Sequence, residues 1–151
     1  MVQYIDLVRE FAGRTRSNIK LIQAAVNTGQ NGYEVTQLIN SMLGLLVFPE
    51  QEFYDKIPKT TIHDLEKEGW PIPRVRGNYQ QVSDLKQLMR YLRNGITHFN
   101  LRFTEMNGHV DGLIIWNELT KGNKNWEAEL KIKELEGITD RFTKLILKTE
   151  I

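Results

Sequence analysis

Cysteine is absent from this chain of 151 residues. That excludes disulfides, thiol nucleophiles and cysteine-ligated zinc, and it fits a reducing compartment. Histidine is scarce, with 3 in all, and neither His63 nor His109 has partners at metal-ligand spacing, so no metal site is expected. No glycine-rich phosphate loop of the Walker type occurs. Long apolar runs are missing too. Segments such as Leu113-Ile114-Ile115-Trp116 fall far short of the roughly 20 residues that span a bilayer. Met1-Val2-Gln3-Tyr4-Ile5-Asp6 has no basic stretch followed by an apolar block, so no signal peptide is expected. Nor is there an excess of one charge: 20 basic residues face 19 acidic ones, for a net charge of +1. Bulk attraction to polyanions is excluded, and any nucleic-acid binding must come from local basic clusters. Together these absences predict a soluble, cytoplasmic protein with no cofactor and no bound metal.

What is present is an ordinary globular mix, with 40% hydrophobic and 26% charged residues, at a length suited to one domain over residues 1–151. Ile5, Val8, Phe11, Ala12, Ile19, Ile22 and Val26 recur at helical spacing and predict a first helix from about Gln3 to Thr28. Gly13 and Ser17 weaken its middle. After the turn cluster from Asn27 to Gly32, a second helix is expected from Tyr33 to Val47. Leu38, Ile39, Met42, Leu43, Leu45 and Leu46 cover most of its circumference, leaving a narrow stripe of Gln37, Asn40, Ser41 and Gly44 that suits close helix packing. Pro49 ends it. Thr61-Ile62-His63-Asp64 reads as a capping box for a short helix ending near Gly69. The proline-flanked stretch from Trp70 to Gly77 reads as extended loop.

Ser83 is placed to cap a fourth helix reaching about Gly95, with Leu85, Leu88, Met89, Leu92 and Ile96 as its buried stripe. The period then changes. Leu101, Phe103 and Glu105 alternate with Arg102 and Thr104. Asn107-Gly108 is the favoured two-residue hairpin turn, and Val110 to Trp116 is a β-rich return strand. Trp126, Ala128, Leu130 and Ile132 alternate as a third strand, and a last helix is expected from Glu134 to Lys148. The expected class is mainly α: a helical bundle with a small antiparallel hairpin or three-stranded sheet inserted before the C-terminal helix.

Chemistry concentrates on the fourth helix. Lys86, Arg90, Asn94 and His98 follow one another at four-residue steps, so they share a face if the helix persists to His98, and Arg93 has the reach to join them. Cations, an amide and an imidazole suit a phosphodiester. Arginine binds phosphate through two parallel hydrogen bonds and stabilises added charge, and histidine moves protons near neutral pH. RNA carries its own nucleophile, the 2′-hydroxyl. On spacing alone, the pattern favours a solvated helix face with a histidine at the negative end of the dipole.

Arg93-Asn94-Gly95-Ile96-Thr97-His98 resembles the Arg-Asn-x-x-x-His motif of the HEPN family (higher eukaryotes and prokaryotes nucleotide-binding). Glu34 to Ser41 with Gly44 to Pro49, and Trp116-Asn117 with Trp126, are similar to a compact plasmid-borne branch of it, so the resemblance runs from about Asn18 to Phe142. It implies a HEPN-like helical core, a homodimer, and a composite site where both copies of the motif meet. It further implies a metal-independent endoribonuclease acting as a toxin or in defence. In such an enzyme Arg93 holds the scissile phosphate, His98 positions or deprotonates the 2′-hydroxyl, and Asn94 orients His98 or the phosphate. Products would carry a 2′,3′-cyclic phosphate. Some relatives bind RNA or nucleotides without cutting. A non-catalytic RNA- or nucleotide-binding dimer therefore stands as the alternative, as does an interaction module neutralised by an antitoxin or other partner protein.

Other residues carry weaker signals. Arg74 and Arg76, with Tyr79 nearby, are candidates to grip phosphate and stack a base, as are Lys86 and Arg90 for the RNA backbone. Arg14, Arg16 and Lys20 form a further basic group. His109 and Asp111 flank a hairpin turn, where polar residues are expected anyway. The 3 tryptophans suit packing between sheet and helix better than ligand binding.

Overall fold

The computed structural model describes residues 4–47 and 54–148. Pro49, the expected stop of the second helix, lies outside them. The elements, in chain order, are α1 (Tyr4–Asn27), α2 (Glu34–Val47), α3 (Ile62–Lys67), β1 (Arg74–Val75), α4 (Leu85–Thr97), β2 (Leu101–Met106), β3 (His109–Thr120), β4 (Asn123–Lys131) and α5 (Ile132–Lys148). No helix among the described residues is long and apolar enough to cross a membrane. The chain divides into two compact units, Met1–Lys56 with Thr139–Ile151, and Ile57–Ile138.

In the first unit α1 packs on α2. The apolar circumference of α2 is largely spent: Leu38, Ile39, Met42, Leu45 and Leu46 are buried, while Leu43 stays exposed. Close approach comes from the small stripe. A Cβ on Gly44 would lie 2.6 Å from the Phe11 ring of α1, so any larger residue there would require that ring to move. Ser41 is buried and donates its hydroxyl to the Gln37 carbonyl at 2.8 Å. Arg16 pairs with Asp140 at 3.1 Å.

The second unit is built on a sheet of order β1-β4-β3-β2, antiparallel throughout. A mainly α bundle with a small hairpin or three-stranded sheet is thereby corrected. The sheet has four strands, β3 alone runs 12 residues, and this unit is α+β. The missed strand is β1, where Arg74 pairs with Glu129 and Val75 with Ala128. Two residues are too few to show alternation, and Pro73 sits just ahead of them, where a proline is tolerated at the start of an edge strand. Between β2 and β3, Asn107 and Gly108 both take positive φ, 53° and 78°, as a type I′ hairpin turn requires.

α4 lies against β3. Its stripe is as expected, with Leu85, Leu88, Met89, Leu92 and Ile96 buried. Two details of its ends differ from expectation. The N-cap is Asp84 rather than Ser83; the Asp84 carboxylate accepts from the Gln87 backbone N–H at 2.8 Å, while Gln87 Oε1 accepts from Ser83 N–H at 2.8 Å. The helix also continues past Gly95 to Thr97. Gly95 is there because β3 is: a Cβ at this position would lie 2.5 Å from Ile115 Cγ1 and 3.1 Å from the Trp116 carbonyl.

The expected result of Gly95→Ala follows. Alanine favours a helix by up to about 1 kcal/mol over glycine, but overpacking typically costs about 1–3 kcal/mol. Here the Ile115 side chain, at 2.5 Å, would have to move while the Trp116 backbone carbonyl stays tight at 3.1 Å, so the clash is expected to dominate. Thermal melts should show a drop of about 2–4 °C per kcal/mol lost, the scale for a chain of this size. A variant melting at or above wild type would show that α4 can lift from β3 freely.

Candidate functional site

At its C-terminal end, α4 closes in a Schellman motif. The N–H of Asn100 reaches the Gly95 carbonyl at 2.7 Å, and that of Phe99 reaches Ile96 at 3.1 Å. His98 is the C-cap, with its own N–H on the Asn94 carbonyl at 3.0 Å. The next position normally favours glycine because it is left-handed. Phe99 fills it at φ 55° and is 70% exposed. A non-glycine residue in that region carries a cost of order 1–3 kcal/mol, and it fixes the chain's departure from the helix at His98.

His98 and Asn94 line one cleft of about 670 Å³, together with Asn100, Glu118, Thr120 and Lys121. The far wall is the β3–β4 turn. Glu118 braces it: one carboxylate oxygen accepts from Trp116 Nε1 at 3.1 Å and the other from Gly122 N–H at 3.1 Å. Lys124 stands 4.3 Å from the centre of the Trp116 ring.

Asn94 is held from behind. Its Nδ2 donates to Asn117 Oδ1 at 3.0 Å, Asn117 Nδ2 donates to Asn125 Oδ1 at 2.6 Å, and Asn125 Nδ2 donates to the Tyr91 hydroxyl at 3.0 Å. Asn117 is 3% exposed. It lies two residues beyond Ile115, on the face of β3 that meets α4. A bulge makes the chain of amides possible. Asn117 pairs with Trp126 and Glu118 with Lys124, so Asn125 opposes neither and is freed from strict alternation. Behind it, Trp126 is fully buried, with its ring centre 5.4 Å from that of Tyr91. This tryptophan packs helix on sheet, as expected.

As a connected chain, Asn94-Asn117-Asn125-Tyr91 escaped sequence reading: Asn117 entered only through the resemblance, and asparagine in a strand region otherwise reads as a turn residue. Glu118 and Lys121 were missed as well. Lys121 carried a faint signal, since it precedes the Gly122 of a hairpin turn.

The expected basic stripe is divided by helix geometry. At about 100° per residue, four-residue steps drift, and of the expected stripe Asn94 and His98 come round to the cleft. Lys86, Arg90 and Arg93 fall on the neighbouring face and do not line the cleft. Arg90 is exposed and Arg93 half-buried. Arg74 and Arg76 meet carboxylates of the same chain. Arg74 lies 2.6 Å from Glu134, whose hydrogen bond raises the guanidinium pKa above its ordinary value, and Arg76 lies 3.6 Å from Glu127. Glu127 itself is held below the usual carboxylate range, chiefly by its hydrogen bond from Lys124. Asp111 bonds Thr104 at 2.6 Å and Lys131 at 2.9 Å. No group of three metal-ligating side chains occurs among the described residues.

Asn94 and His98 of the Arg-Asn-x-x-x-His motif thus line a polar cleft beside an antiparallel sheet. The family model described as HEPN pEK499 p136 matches residues 1–151, and the chain belongs to that family. No curated protein and no solved structure matches it.

Asn117 can be tested without touching the cleft. Asn117→Leu leaves the Asn94 amide and the Asn125 carbonyl without their partner, at about 1–3 kcal/mol for a buried polar group left unsatisfied. Asn117→Asp keeps the acceptor and loses the donor, placing a carboxylate against Asn125 Oδ1. Burial raises the folded-state pKa of such an acid above its unfolded value near 3.9, so its deficit should be small below about pH 4 and grow as pH rises. Melts across pH that give Asn117→Asp a constant deficit would contradict the hydrogen-bond assignment.

Proposed function

We propose that the protein is a metal-independent endoribonuclease that cleaves RNA by attack of the 2′-hydroxyl, works as a homodimer, and serves as a toxin or defence effector neutralised by an antitoxin partner. The observation supporting this is that the motif's His98 and Asn94 open on the same cleft, opposite Lys121. In the proposed reaction His98 takes the proton of the 2′-hydroxyl. The 2′-oxygen attacks phosphorus and the 5′-oxygen leaves with a proton, giving a 2′,3′-cyclic phosphate and a 5′-hydroxyl end. Asn94, with Nδ2 committed to Asn117, offers its carbonyl oxygen to orient His98 or the attacking hydroxyl. Arg93 holds the phosphate in a composite site where two copies of the motif meet, and Lys86 and Arg90 take flanking phosphates. Arg74 and Arg76 would have to give up carboxylate partners to join them.

The placement of Arg93 outside the cleft of a single copy favours a second reading, a dimer that binds RNA or nucleotide without cutting it. Labelled RNA separates the two. His98→Ala should lower the cleavage rate about a hundredfold to ten-thousandfold while leaving RNA binding nearly intact. Arg93→Ala should lose binding and turnover together, and Arg93→Lys should rescue only in part, because lysine lacks the planar fork. EDTA should change nothing, and 2′-deoxyribose at the cut position should stop the reaction. Binding without cleavage by wild type would select the second reading. A monomer by sedimentation at micromolar concentration would remove the composite site from both.

A further inference from the structure

A second concavity, of about 510 Å³, opens on the same face of α4 as the cleft, further toward the start of the helix. Gln87, Tyr91 and Asn125 line it together with Asn78, Tyr79 and Gln80. None of its lining residues carries a charge, in contrast to the cleft of His98, which Lys121 and Glu118 both line. Without a cation, the pocket has no charge to set against a phosphate. It recognises a flat, uncharged group with donors and acceptors on its edge.

Its groups have that character. The Tyr91 hydroxyl accepts from Asn125 at 3.0 Å and from Gln87 at 3.4 Å, so its own proton is left to donate. The amides of Asn78 and Gln80 make no hydrogen bond among the described residues, and each offers a donor beside an acceptor, the pairing that reads a base edge. The Tyr79 ring supplies a face. It is 36% exposed, and its Cδ2 and Cε2 lie 3.9 Å from where a Cβ on Gly77 would stand, so the ring is seated over that glycine. Base stacking on such a ring needs no particular sequence. Two walls of the pocket, Tyr91 and Asn125, are also the end of the amide chain that holds Asn94. From Tyr91 to His98 is about 10 Å along the helix at 1.5 Å per residue, a span that neighbouring nucleotides of one strand can bridge.

We propose that this pocket binds an unpaired nucleobase, stacked on Tyr79 and hydrogen-bonded by Tyr91, Asn78 and Gln80. The inference rests on the RNA reading of the His98 cleft only in that the base belongs to the same strand. It assigns the pocket a role that the motif does not contain, which is to choose the base placed near the cut.

The test uses the four ribonucleosides, whose lack of phosphate keeps them from reporting on the cleft's cations. Each is titrated into the full-length protein while the side-chain amide resonances of Gln87, Asn125, Asn78 and Gln80 are followed. At least one nucleoside should shift them, with a Kd on the order of 1 mM, the weak affinity that a single stacked base supplies. Tyr79→Ala should weaken that binding about fivefold to a hundredfold, the loss on removing one stacking ring. Tyr79 is at the surface, so the variant should fold and melt as wild type does. Tyr91→Phe, which keeps the ring on Trp126 and removes the hydroxyl, should weaken binding and change the preference among the four. No shift with any nucleoside overturns the proposal. So do shifts confined to Asn94 and Asn100, or binding unchanged in Tyr79→Ala. RNA cleavage is read separately: nucleoside binding without cleavage keeps the pocket and removes the nuclease, and cleavage without nucleoside binding does the reverse.

Discussion

The contact between Gly95 and β3 sets the geometry of everything around it. With no side chain at that position, the axis of α4 comes close enough for Ile115 to occupy the space a Cβ would take. Only at that distance does Asn94, one residue earlier, meet Asn117 across the gap at 3.0 Å. The glycine stands at the third position of the motif, so two of its features answer to different demands. Asn94 and His98 face the cleft, and Gly95 faces the sheet. A helix pays about 1 kcal/mol for an interior glycine, and here the return is close packing that removes freedom from the polar groups beside it.

Amides suit that position for a physical reason. A carboxylate behind Asn94 would be expensive to bury and a hydroxyl could not reach in two directions, whereas each asparagine both donates and accepts. The chain from Asn94 to Tyr91 uses that capacity at every step, and a buried polar chain in which each link is satisfied fixes its members more firmly than isolated pairs do. The bulge at Asn117 and Asn125 is what allows it. Regular alternation would send Asn125 to the opposite face from Asn117's partner Trp126. One extra residue turns it back.

These relationships explain which parts of the structure were legible in the sequence. Periodicity of apolar residues is local, so α1, α2, α4 and α5 fell within a few residues of their expected ends, and Thr61 capped α3 as its spacing implied. Asn107-Gly108 announces a turn by chemistry alone, and the turn is there. The rest depends on pairing across distance. β1 exists because β4 offers an edge far along the chain, with Glu129 opposite Arg74 and Ala128 opposite Val75, and nothing within two residues records that. Asp84 displaced Ser83 as the cap because Gln87 was available to engage both. In the site the motif named Asn94 and His98, while Asn117, Asn125 and Tyr91 came into view only once helix and sheet were placed together. The four-residue ladder from Lys86 to His98 misled because its drift, small at each step, amounts to about 120° over three steps at 3.6 residues per turn.

His98 also stands in a place that makes demands of its own. It is the C-cap of α4, where the helix dipole presents its negative end. That end is unfavourable for a phosphate, and the nearby carbonyls of Asn94, Gly95 and Ile96 are already taken by the N–H groups of His98, Asn100 and Phe99. The Schellman bonds blunt the dipole without reversing it. The cleft adds one cation, Lys121, and one carboxylate, Glu118, which together leave it without net positive charge. An anion held there must therefore meet cations from outside this set. In the proposed dimer those are the arginines of the neighbouring face, with Arg93 nearest in sequence. On that proposal, a single copy would have the imidazole and the amide but too little positive charge, and the proposed chemistry would wait on assembly. The same electrostatics would make the uncharged pocket near Tyr91 the complement of the cleft in the proposed complex, where a strand whose phosphate is held by cations at one end of the helix would present its base, and not its charge, to the other.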